Sequence, residues 1–92
     1  MRKAVASRHI KELCAELGLE YSIRMLDAEM VIYRSFGNGF DVEISGVNTE
    51  SRRARAAIYL WDMRNGQQIV KRLDDVPQVD IGDRVNELLH GL

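Results

Sequence analysis

The chain has one cysteine, one proline and one tryptophan among 92 residues, and its 13 basic side chains are offset by 14 acidic ones. Each scarcity excludes something. Cys14 has no second cysteine with which to close a disulfide, and no CxxC, HExxH or paired His and Cys spacing supplies a zinc ligand set. A formal charge of −1 gives no global field to draw the protein onto DNA, RNA or an anionic membrane, so any such binding has to be local. No apolar run approaches the roughly 20 residues that span a bilayer. The opening stretch "MRKAVASRHIKELC" is broken by charges where a signal peptide needs apolar residues, and a reducing cytosol is therefore expected.

What remains is the composition of a folded domain. Hydrophobic residues make up 46% of the chain and charged ones 29%, which suits a single small domain over residues 1–92. At this size burial only modestly exceeds the entropy cost of folding, so most apolar side chains are needed for the core.

Ala6, Ile10, Leu13, Cys14 and Leu17 recur at helical intervals and predict a first helix that stops at Gly18. Leu19, Tyr21, Ile23 and Met25 then alternate with polar residues, predicting a strand with one buried face that ends at Asp27 and Ala28. "EMVIYRSFGNGFDVEISGV" predicts a hairpin turning at Asn38 and Gly39, with Tyr33 opposite Ile44 and Arg34 opposite Glu43. "AAIYLWDMRNGQQIVKRL" predicts a second, turning at Asn65 and Gly66, with Trp61 opposite Val70, Tyr59 opposite Arg72 and Ile58 opposite Leu73. After Pro77, Ile81, Val85, Leu88, Leu89 and Leu92 share a helical face, with Asp80 as N-cap and Asp83 favoured by the helix dipole. The expected fold is α+β: helix, five-stranded largely antiparallel sheet built from hairpins, helix, with both helices on one face of the sheet.

That leaves the other face to explain. Asp41, Glu43 and Ser45 make it look solvated in the third strand, but in the fourth Ala56, Ile58 and Leu60 line one side while Tyr59, Trp61 and Met63 line the other. The aliphatic set, continued by Ile69 and Leu73, is expected to meet the helices. Tyr59 and Trp61 are expected to face outward, because a core pairing of Tyr59 with Arg72 would be costly. Tyr59, Trp61, Met63 and Val70, flanked by Arg55 and Arg72, thus form the candidate interaction surface. Loops or chain ends that cover it would make it structural. An apolar patch rimmed by polar groups also suits a partner protein or a second copy, whereas aromatics beside guanidinium groups suit stacked bases and phosphates.

The basic loop in "NTESRRARAAIYLW" offers Arg52 and Arg53 as further contacts, but Glu50 partly offsets them and no RRM signature is present. The two helices lie at opposite ends of the chain, so no helix-turn-helix forms. Cys14 falls on the buried stripe of the first helix and reads as a core residue, and His9, five positions away, does not share a face with it. Asp74, Asp75, Asp80, Asp83 and Glu87 lack the spacing of an EF-hand and read as capping and solubility. "FGNGF" is a turn, without the strand-to-helix setting of a phosphate loop. No catalytic constellation, metal site or cofactor site is legible, and no family signature stands out. The expectation is a non-enzymatic module acting through protein contact, homodimerisation included, with nucleic-acid binding by the same face as the alternative.

Overall fold

The first helix begins where a side chain replaces a missing backbone partner. In a computed structural model, which describes residues 5–90, Ser7 is extended and its hydroxyl accepts from the Ile10 amide at 3.0 Å, capping α1 (Arg8–Leu17). Gly18, at a φ of 129°, ends the helix, its amide still donating to the Cys14 carbonyl. Five strands follow, β1 (Ser22–Leu26), β2 (Glu29–Ser35), β3 (Phe40–Ser45), β4 (Ala56–Asp62) and β5 (Gln68–Val76), and α2 (Ile81–Leu89) closes the order. The strands form one antiparallel meander, β1-β2-β3-β4-β5. Both helices pack on one face. Ile10 and Leu13 of α1 and Ile81, Val85 and Leu88 of α2 join Ile32, Val42, Ile44, Ile58 and Leu60 of the sheet in a single core. Each fully buried aliphatic side chain there contributes about 1.5–3 kcal/mol, the main favourable contribution to folding.

Turn chemistry sets the registers, and it departs from expectation twice. Between β2 and β3 the loop has three residues, Gly37, Asn38 and Gly39; both glycines have positive φ, and the Phe36 amide donates to the Phe40 carbonyl. Ile32 therefore faces Ile44 and Tyr33 faces Glu43, so the expected pairs Tyr33–Ile44 and Arg34–Glu43 do not form. One extra loop residue turns β2 over relative to β3. In the last hairpin Ile58 faces Leu73 and Tyr59 faces Arg72 as expected, but a bulge between Leu60 and Trp61 makes Val70 the extra residue and sets Trp61 opposite Ile69. Ile69 is accordingly 47% exposed and does not join the core, whereas Leu73 packs against it.

Two smaller expectations also change. β1 is an edge strand that starts only at Ser22, so Leu19 lies in the preceding turn fully exposed and Met25 is 45% exposed, while Tyr21 is buried. Asp80 precedes α2 but makes no side-chain capping bond, because its helical backbone continues a 3-10 turn over Gln78–Asp80. Leu92 lies outside the described residues.

The long β3–β4 connection is held down by polar contacts distant in sequence. Val47 is fully buried beneath it, Asn48 Oδ1 accepts from the Ser7 amide at 2.7 Å, and the Ser7 hydroxyl donates to the Thr49 carbonyl. Gln78, itself buried, donates both amide hydrogens, to the Ser51 and Ala54 carbonyls at 3.1 and 2.9 Å. Its oxygen can then only accept, which assigns the proton to Nε2 of buried His9, 2.5 Å away. Three segments thus meet at one amide. Gln78→Ala strands His9 and two carbonyls, and is expected to cost about 1–3 kcal/mol in a denaturant titration. Amide exchange should accelerate first in the 46–55 loop.

Candidate interaction face

Strand alternation sends every second side chain away from the helices, and these residues make the outer face. Trp61, Tyr33, Asp41, Glu43, Met63 and Arg24 line a groove of about 350 Å³ there. Tyr59 and Trp61 lie outside the helix-side core that contains Ala56, Ile58 and Leu60. The aromatic set faces outward and the aliphatic set faces the helices, as expected from the Tyr59–Arg72 pair.

The two carboxylates in the groove are tied to the aromatics. The Tyr33 hydroxyl donates to Asp41, and Trp61 Nε1 donates to Glu43 Oε1 at 3.0 Å. Burial, followed by the bond to Asp41 and the Asp41 charge, pushes the Tyr33 phenol up to about 12. Burial likewise raises Glu43 above the ordinary glutamate range; the Trp61 bond opposes this and the charges of Glu29 and Asp27 add to it. Neither residue belonged to the surface read from sequence. The missed signal is Tyr33 opposite Glu43, concealed by the three-residue turn.

Arginine covers most of the aromatic surface. Arg24 lies 4.3 Å above the Tyr33 ring, Arg34 sits over Tyr21 and Phe36 at 5.2 and 4.3 Å, Arg64 is 4.6 Å from Phe40 and Arg72 is 5.1 Å from Tyr59. All are within the roughly 6 Å at which a cation is attracted to a ring face. The chain has three tyrosines, two phenylalanines and one tryptophan. Among the described residues, Trp61 is thus the one ring with no guanidinium over it.

The expected surface is only partly brought together. Tyr59, Trp61, Met63 and Arg72 share the outer face, whereas Val70 occupies the bulge in β5. Arg55 and the loop arginines lie elsewhere: Arg52, Arg53 and Arg55 border a shallow depression with Pro77 and Val79, Arg52 pairs with Glu12 of α1 at 3.5 Å and Arg55 approaches Asp75 at 3.9 Å. From Arg55 to Trp61 the strand covers about 20 Å at about 3.3 Å per residue. The basic loop and the partly exposed Trp61 are therefore at opposite ends of β4.

The other sequence candidates have structural places. Cys14 is buried in the core and burial pushes its thiol up, away from nucleophilic reactivity. His9 belongs to the Gln78 clamp. Among the described residues, no three His, Cys, Asp or Glu side chains converge as metal ligands would, and no helix is long and apolar enough to cross a membrane.

Two variants test this geometry. Trp61→Ala removes a partly exposed ring, so thermal melting is expected to show a loss of about 1 kcal/mol, against the about 3–5 kcal/mol of a buried tryptophan. Glu43→Gln tests the raised carboxyl. In the unfolded chain Glu43 ionises first, so the folded state loses stability as pH climbs from the ordinary glutamate value through the raised one. Glu43→Gln keeps an acceptor for Trp61 and carries no charge to desolvate. It is expected to melt above the parent at neutral pH and with it below the glutamate range.

Comparison of the chain with protein-family models, with curated proteins and with solved structures finds no match, so the chemistry of this face is read from its own residues.

Proposed function

We propose that the chain is a protein-contact module, and that its outer sheet face receives a basic side chain of a partner protein, stacked on Trp61 and paired with Glu43. The single observation that carries this reading is the pattern of arginines. Among the described residues, five aromatic rings each have a guanidinium of the same chain above them, and Trp61, the strongest cation–π platform of the set, has none. Beside it Glu43 is a partly desolvated carboxylate whose hydrogen bond comes from the neutral indole and not from a cation. An incoming guanidinium or ammonium would satisfy both groups at once. Tryptophans in such positions often carry a large share of a contact's energy.

Charge weighs against the nucleic-acid alternative. A phosphate at Trp61 would meet Asp27, Asp41 and Glu43 along the groove. The arginines of the 52–55 loop are too far along β4 to offset them, and Tyr33 and Tyr59 have their faces occupied by Arg24 and Arg72. Catalysis is given less weight because the carboxylates of the groove are engaged by Tyr33 and Trp61 and, among the described residues, no nucleophile stands beside a base there. A cytosolic setting rests on the lone buried cysteine.

The sole tryptophan makes the test direct, since its emission reports on the groove. Short peptides containing arginine are expected to quench Trp61 saturably, citrulline peptides of the same length should not, and Glu43→Gln should weaken the arginine peptides by about tenfold. Equal responses to arginine and citrulline would overturn the reading. So would an oligonucleotide that binds more tightly than the peptides and is indifferent to Glu43→Gln.

A further inference from the structure

We propose that two copies of this chain pair edge to edge through β5, antiparallel about a twofold axis at Leu73, to make one continuous ten-stranded sheet. This pairing does not depend on what docks at Trp61. β5 is bonded to β4 on one side and ends the sheet on the other, which leaves a row of backbone donors and acceptors open to another strand. It is the longest strand of the chain, and its side chains from Gln68 to Arg72 are all exposed.

The occupant is identified by the order of charges. The strand reads Lys71, Arg72, Leu73, Asp74, Asp75. In an isologous contact residue i of one copy meets residue j of the other, and j meets i. With Leu73 opposite Leu73 of the second copy, Arg72 meets Asp74, and the pair occurs twice. The charges on either side of the axis find their opposites. A strand from an unrelated protein would not require this antisymmetry, whereas a second copy does.

The faces also agree. Arg72 Nε and Asp74 Oδ1 are 2.8 Å apart within one chain, so the two side chains project on the same side of the strand and can meet their counterparts there. Both remain more than half exposed. Leu73 projects to the helix side, where it is partly buried against the core, and the two copies of Leu73 would extend that apolar layer across the axis. The bulge at Val70 and the positive φ of Asp75 bound the regular part of the strand to Lys71–Asp74. The contact is short, and the dimer accordingly depends on concentration. The opposite edge, β1, is shorter and lacks such an order of charge.

Sedimentation of the full chain over a concentration range is expected to show a monomer–dimer equilibrium. Arg72→Glu and Asp74→Lys each replace two attractive pairs per dimer by two repulsive ones, and each should raise the dissociation constant by at least about tenfold. An equimolar mixture of the two variants restores opposite charges at both positions and should recover the dimer. In the unmodified chain, amide exchange in β5 should slow as concentration rises while exchange in β1 does not. A chain that stays monomeric, variants that dimerise as the parent does, a mixture of folded variants that stays apart, or β5 exchange indifferent to concentration would each overturn the pairing.

Discussion

Everything outside the core follows from the sheet having helices on one side only. Two short helices supply enough apolar surface to cover Ile32, Ile44, Ile58 and Leu60, and among the described residues no further layer faces the alternate positions. A sheet in this position has two ways to finish its second face: make it polar, or make it apolar and cover it from within. β3 takes the first course with Asp41 and Glu43, and β2 and β4 take the second with Tyr33, Tyr59 and Trp61. The face is therefore mixed, and its stability depends on how the two kinds of side chain are joined.

Arginine joins them. A guanidinium is planar and weakly hydrated, so it can lie on an aromatic ring and still present its edge to water. On this face Arg24 over Tyr33 and Arg72 over Tyr59 hide ring surface without adding a layer of structure, and Tyr21, Phe36 and Phe40 at the helix-side core are covered in the same way. Most guanidinium groups are committed within the chain, to rings or to carboxylates such as Asp62, which Arg64 holds down to about 2 through hydrogen bonds from its side chain and backbone. Their number is thus a poor guide to affinity for phosphate. Among the described residues Trp61 stands out because the same rule, applied to it, fails.

How far the sequence discloses this depends on the range of each interaction. Helix faces, the Asp27–Ala28 turn and the Ile58–Leu73 and Tyr59–Arg72 pairs follow from local period and turn residues, and the outward direction of Trp61 follows from Arg72. Registers are less legible, since "FGNGF" accommodates a two-residue or a three-residue turn and only the backbone decides between them. That single residue separates Tyr33 from its expected neighbour Ile44 and brings it to Glu43, and with it the polar half of the groove. The clamp at Gln78 is illegible for another reason. His9 and Gln78 are 69 positions apart, and neither belongs to a local pattern that names the other.

The bulges of β5 show how a local irregularity sets what an edge can do. A bulge twists a strand and removes it from register, which is a common protection against unwanted pairing. Here one irregularity lies at Val70 and the other near Asp75, so protection falls on the ends of the strand and leaves its middle regular. The middle also carries Arg72 and Asp74 on either side of Leu73. Like charges along the whole edge would repel every copy, and an uncharged edge would accept any strand. An edge limited in length by bulges and selective by charge order would discriminate instead: it would disfavour long, indiscriminate pairing, and under the pairing proposed above it would admit the partner whose charges are arranged in the same sequence.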